Sequence, residues 1–166
     1  MKIHKNLILF ILIILIILIS MTIISRNKSG TRYQNSIFND ENKIIKEADS
    51  FSYGEKLGNV KGNKIDIKFN SFSGMDTICD IIADEESNVV FNFESIIEKG
   101  NFKVVVITPD DKIIDILNDT EEGSETILLK QGISKLKFIG KKSNGETKIN
   151  VNSKSEVEIK EISFWD

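Results

Sequence analysis

The uncharged run from Leu7 to Ser25 constrains this chain more than any other feature. It holds nine Ile, five Leu, one Phe and one Met in 19 positions, without a charge or a proline. As a helix it would rise about 28 Å, close to the ~30 Å hydrocarbon core of a bilayer. The spacing therefore predicts a transmembrane helix over 7–25. A cleaved signal peptide has a shorter apolar core, about 7 to 15 residues, and ends in a small-x-small site. Ile23-Ile24-Ser25 offers only one small residue for such a site. Lys2, Lys5 and the α-amine ahead of the run balance Arg26, Lys28 and Arg32 behind it, so charge alone sets no orientation. A short basic N-terminus over 1–6 followed at once by an apolar run is the layout of a signal-anchor. The expectation is a single-pass chain at the cell membrane, touching the lipid bilayer through 7–25. Its N-terminus is then cytoplasmic and residues 26–166 lie outside the cytoplasm.

The remainder is a different material. Removing Lys2 and Lys5 from 22 Lys+Arg leaves 20 against 25 Asp+Glu, a charge of −5 after the apolar run. An acidic domain without a basic stripe excludes nucleic acid as a partner, because phosphate neutralisation needs clustered Lys and Arg. Cys79 is the one cysteine, so an intramolecular disulfide and a Cys-rich zinc site are both excluded. It reads as a small buried residue of a strand. Residues 26–59 are polar and read as a juxtamembrane linker. Within it, Asn39 or Asp40 caps a short helix predicted over 41–49, with Ile44, Ile45 and Ala48 as its apolar side. So short a helix must dock that side on the domain, on the membrane or on a second copy.

From residue 60 to 166 the period changes to that of strands. Ile65-Asp66-Ile67-Lys68-Phe69, Val89 to Glu94, Lys135 to Phe138 and Lys148 to Val151 alternate apolar with polar. Phe102 to Ile107 is apolar on both sides in its second half and reads as a central strand. Gly62-Asn63, Pro109-Asp110-Asp111, Gln131-Gly132 and Asn144-Gly145 separate apolar runs and read as turns, Asn-Gly as a two-residue hairpin. The fold class this predicts is all-β: an antiparallel, jelly-roll-like sandwich of about eight short strands. A phase slip near Lys160-Glu161, between Val157/Ile159 and Ile162/Phe164, predicts a β-bulge in the last strand. Trp165 is expected to plug the end of the sandwich.

Gly100-Asn-Phe102-Lys-Val104-Val-Val106-Ile-Thr-Pro109-Asp110-Asp-Lys112-Ile113 resembles the central hairpin of small membrane-anchored extracytoplasmic β-sandwich proteins of low-GC Gram-positive bacteria. The stretch from Gly132 to Gly145 is similar to their next hairpin. The resemblance covers about residues 60–165 and rests on glycines, a Pro-Asp turn and alternation. It implies one sandwich behind one anchor, with no assigned activity.

Catalytic signatures are missing from the sequence. The chain's one His lies at position 4, ahead of the apolar run, so the domain has none and lacks the base of Ser-His-Asp and Cys-His systems. It also lacks a nucleophile elbow, a P-loop and a dinucleotide fingerprint. A carboxylate-pair hydrolase is the residual enzyme class, with no pair singled out. No cofactor is expected apart from calcium, for which Asp84, Glu85 and Glu86, and Asp119, Glu121 and Glu122, supply oxygen in two acidic loops. Neither loop has EF-hand spacing. The leading function is a membrane-tethered, non-catalytic binding or structural module with a protein or envelope partner. The alternative is a carbohydrate-binding module for cell-envelope glycan, with Trp165 as its candidate ligand contact.

Overall fold

The computed structural model describes the backbone of residues 2–153 and 156–162 and the side chains of 8–21, 31–153 and 156–162. The chain divides into two compact units, 1–33 and 34–166. Helix α1 runs Lys2–Ile37, so the basic lead-in and the first part of the expected linker are helical instead of irregular. Residues 26–37 contain no proline, and the single Gly30 costs a helix only about 1 kcal/mol. Side chains from Ile8 to Ile19 and Met21 are exposed wherever they are large and apolar. Among the described residues no helix is long and apolar enough to cross a membrane. The transmembrane helix expected over 7–25 is thus not found among them. The described side chains 8–21 form a run of 14 residues, which rises only about 21 Å.

Helix α2 runs Glu41–Lys46 behind the N-cap Asp40, whose carboxylate accepts from Lys43 N at 3.2 Å. It is shorter than the predicted 41–49 because Glu47 is already extended and Asp49 is held elsewhere. Asp49 accepts from Thr77 N at 2.7 Å and from Thr77 Oγ1 at 2.9 Å.

Strands β1 (Ser50–Ser52), β2 (Glu55–Lys61), β3 (Lys64–Ala83), β4 (Ser87–Ile107), β5 (Ile113–Asn118), β6 (Glu121–Leu129), β7 (Gly132–Ser153) and β8 (Val157–Glu161) form one antiparallel sheet. Its centre is β3-β7-β4, three strands of 20 to 22 residues where short ones were expected. Flat, β7 would be about 70 Å long. Yet Ala83 pairs with Gly132 at one end of β7, while Val89 pairs with Ser153 at the other. Only six residue steps separate Ala83 from Val89, a span of at most ~21 Å. The sheet must therefore fold back on itself. The fold line is visible as register breaks between Phe69 and Ser73 on β3 and between Ile97 and Asn101 on β4. Ser71, Gly100 and Lys142 have positive φ there, 53°, 78° and 54°. Gly100 is required, because a Cβ would strike the Lys142 carbonyl.

Folding gives two layers. Layer A is β2, β3 64–70, β7 143–153, β4 87–97 and β6; layer B is β1 with β8, β3 73–83, β7 132–141, β4 101–107 and β5. The core between them draws Ile65, Ile67, Phe91 and Val151 from layer A and Cys79, Ile81, Val104 and Leu136 from layer B. Where the strands bend, large rings fill the corner: Phe102 lies 4.7 Å from Phe69 and 5.1 Å from Phe138, and Tyr53 stacks on Phe72 at 4.4 Å. The outer face of layer B is sealed by a second cluster, in which Ile37 and Ile44 cover Met75, Val105, Ile107 and Ile139. This explains why Val104, Val105 and Val106 are all buried: one core lies on each side of β4.

Two local expectations are corrected. Asn144-Gly145 is no hairpin; it lies inside β7 at the fold line, where Asn144 Oδ1 accepts from Ser71 N at 2.9 Å. A Cβ on Gly145 would strike the Ile96 carbonyl, so the glycine serves close approach of strands. No bulge appears at Lys160-Glu161 among the described residues, since β8 pairs in continuous register from Val157 to Glu161, and Phe164, beyond the expected slip, lies outside the described residues. The irregularity sits on its neighbour β3, between Thr77 and Cys79, and Ile162 N donates to Ile78 O at 3.1 Å.

Candidate functional site

While layer B is covered by helix, the described residues of the unit 34–166 leave the outer face of layer A open. Alternation along each strand sends one phase of side chains into the core and the other outward. The register aligns the outward phase into rows. One row crosses five strands as Asn59, Asp66, Lys148, Glu94 and Glu122; the next reads Lys61, Lys64, Asn150, Asn92 and Ser124. Their central members line a shallow depression of about 480 Å³, together with the backbone of Ile65, Phe93, Gly123 and Ile149. Asp66, Lys64, Lys148, Asn92, Glu94 and Glu122 are exposed. Asn150 forms part of the lining, and its Oδ1 is buried without a hydrogen-bond partner.

None of the charged groups in the two rows lies within ion-pair distance of a partner among the described residues. This contrasts with layer B. There Lys135 meets Asp80 at 3.0 Å, Lys56 meets Asp76 at 2.8 Å, and the nearly buried Lys137 reaches Asp49 at 3.3 Å. The depression thus offers unengaged ammonium, carboxylate and carboxamide groups on a rigid sheet. It contains no aromatic face directed outward, since Phe93 points into the core.

The groups with displaced pKa values all lie away from this face. Burial, then the neighbouring Asp76 carboxylate that accepts from its hydroxyl at 2.7 Å, holds the Tyr53 phenol far above its ordinary value. Burial, with Asp80 and Glu161 nearby, pushes the Cys79 thiol up to about 12. A hydrogen bond from Thr108 Oγ1 at 2.7 Å, reinforced by Lys130 and Lys112, holds Asp110 well below the usual carboxylate range. Each of these is tied into a turn or the core.

The calcium candidates do not converge. Asp84, Glu85 and Glu86 are exposed in the β3–β4 connection. Asp119 accepts from Phe102 N at 2.7 Å and Glu121 from Asn118 N at 2.9 Å, which occupies those carboxylates in shaping the β5–β6 turn. Glu122 instead points onto the open face opposite Glu94. Among the described residues no group of three or more Asp, Glu, His or Cys is placed to hold a metal ion. Trp165 lies outside the described residues. No local signal singles out Lys64, Asp66, Asn92, Glu94, Lys148 and Asn150 in the sequence. Each is the polar phase of an alternating strand, and only the pairing register brings them together.

No family model matches the chain, and no curated protein matches it. Among solved structures, the chain is similar to a family 29 carbohydrate-binding module complexed with mannohexaose, at 11% identity, covering 68% of this chain and 79% of that one with a TM-score of 0.32. The same module complexed with cellulohexaose gives 10% identity, the same coverages and a TM-score of 0.33. A family 4 carbohydrate-binding module gives 6% identity, 72% and 83% coverage and a TM-score of 0.32. Scores this low transfer neither a residue nor a ligand to this chain.

Proposed function

We propose that this protein is a non-catalytic binding module that takes a glycan on the open face of layer A. The observation that carries the reading is the contrast between the two outer faces. One is sealed by Ile37 and Ile44; the other presents aligned rows of amides and charges without an ion-pair partner among the described residues. Hydroxyl-rich ligands both donate and accept, so a surface that mixes carboxamide, carboxylate and ammonium suits them. Stacking on aromatic rings contributes nothing on this face, and recognition rests on hydrogen bonds. The N-terminal apolar run supports a further part of the proposal, that the module is tethered to a membrane and displayed outside the cytoplasm. That part rests on the 19 uncharged positions of 7–25.

Titration of the isotope-labelled full chain, in detergent, with hexaoses of glucose, mannose and N-acetylglucosamine tests the binding reading. At least one is expected to shift the side-chain amides of Asn92 and Asn150 together with the backbone amides of Ile65, Phe93 and Ile149 in the same depression, and N92A/N150A is expected to abolish the backbone shifts. Shifts confined to other surfaces, or none with any hexaose, would overturn it. Protease added to intact cells tests the display: a domain protected until the membrane is opened would refute it.

A further inference from the structure

The open face carries two features that cost stability without an evident structural return. Lys61 stands directly across from Lys64, and Glu94 directly across from Glu122. Like charges in directly opposed positions of an antiparallel pair destabilise it. Natural sheets commonly place opposite charges there, and this same sheet does so at Asp80 and Lys135. Between the two pairs, Lys148 faces Asp66 on one side and Glu94 on the other, so a single ammonium serves two carboxylates and the acidic end keeps a net excess of two negative charges. What remains is two ammonium groups at the β2–β3 end and two carboxylates at the β4–β6 end. Lys64, Glu94 and Glu122 line the same depression, with Asn92 and Asn150 between them. Two strand spacings, about 10 Å, separate β3 from β4, and Glu94 lies one row on from Lys64, about 7 Å along the strands. A backbone span of about 12 Å, less the reach of a lysine and a glutamate side chain, is of the order of one hexose ring.

Resting on the glycan reading above, we infer that this face selects a saccharide bearing both charges, with an acidic group at Lys61 and Lys64 and an ammonium group at Glu94 and Glu122. A ligand with both charges relieves both repulsive pairs at once. A neutral sugar relieves neither, and a singly charged one meets repulsion at the opposite end if it reaches across. Asn92 and the accessible part of the Asn150 carboxamide then take ring hydroxyls.

Four probes that differ only in charge make the test: glucose, glucosamine, glucose 6-phosphate and glucosamine 6-phosphate. Each is titrated against the full chain at a mildly acidic pH where the amine is protonated, with the amides of Asn92 and Asn150 as the signal. Glucosamine 6-phosphate is expected to bind about fivefold or more tighter than either singly charged sugar. That preference should shrink as salt rises from about 0.05 M to about 0.5 M. K61Q/K64Q should make glucosamine 6-phosphate bind like glucosamine, and E94Q/E122Q should make it bind like glucose 6-phosphate. Equal binding of all four sugars would overturn the inference while leaving the glycan reading intact. A preference for glucose 6-phosphate equal to that for glucosamine 6-phosphate would also overturn it. If none of the four sugars and none of the neutral hexaoses shifts this face, both readings fall together.

Discussion

Removing the Asp49 carboxylate should be among the most damaging surface-proximal changes in this protein, and a second substitution should partly repair it. Asp49 accepts two hydrogen bonds from Thr77, at 2.7 and 2.9 Å, and meets Lys137 Nζ at 3.3 Å. The Lys137 side chain is only 6% exposed, whereas that of Asp49 is 27% exposed. Hydrogen bonds to a charged acceptor are worth roughly 1.5–3 kcal/mol each. Asp49 is partly exposed, so water replaces much of those bonds when it is removed, whereas the ammonium is left stranded in a nearly dry site; D49A should cost roughly 3–5 kcal/mol in all. With domains of this size stable by about 5–15 kcal/mol, that is roughly a fifth of the total or more. K137M is different. It removes the buried cation, leaves Asp49 its two bonds and partial hydration, and sets a thioether beside Met75, whose sulfur lies 3.4 Å from Lys137 Nζ. Its expected cost is under about 1 kcal/mol. The double variant D49A/K137M should be about 1–3 kcal/mol more stable than D49A alone, a coupling typical of contacting residues. Urea unfolding of the full chain, followed by near-ultraviolet circular dichroism, measures all four proteins. A K137M loss as large as that of D49A, or strict additivity in the double variant, would refute the view that the unpaired ammonium dominates.

The remaining predictions use the same assay. Gly100→Ala should cost at least about 2 kcal/mol, because an L side chain at φ 78° is strained and its Cβ meets the Lys142 carbonyl; a neutral result would contradict the fold line. I44D should undock residues 34–46 from layer B and expose Met75, Val105 and Ile139, seen as new binding of a hydrophobic dye while the far-ultraviolet strand signal persists. Cys79 should make the protein alkali-labile. Its thiol is held at about 12 against an ordinary 9.0, so between those pH values the unfolded chain has lost a proton that the folded one retains. The stability this contributes is complete below pH 9.0 and declines as pH rises towards 12. C79A should cost stability at neutral pH through the cavity but narrow its deficit as pH climbs; a deficit independent of pH would sink the idea.

The sequence determined the class of this fold because strand alternation is local. A period of two at Ile65 to Phe69 or Lys148 to Val151 commits those residues to an inward and an outward phase whatever their neighbours do. It also determined a cap at Asn39 or Asp40, which the fold places at Asp40, the Gly62-Asn63 and Pro109-Asp110 turns, and the burial of Cys79, each of which depends on a few adjacent residues. The strand count was legible, whereas strand length was not. Asn144-Gly145 looks the same whether it ends a strand or bends one, and the choice is made by Ile96 and Ser71 on neighbouring strands. The apolar run set the character of the N-terminus without fixing where its helix stops, because nothing between residues 26 and 37 breaks a helix. The open face was the least legible part. Lys64, Asn92, Glu94, Glu122 and Asn150 are ordinary polar positions one by one. Register is a non-local property, set by how the bent sheet closes over its core. Only that closure aligns them in rows, leaves Asn150 Oδ1 without a partner, and sets two lysines against each other at one end and two glutamates at the other.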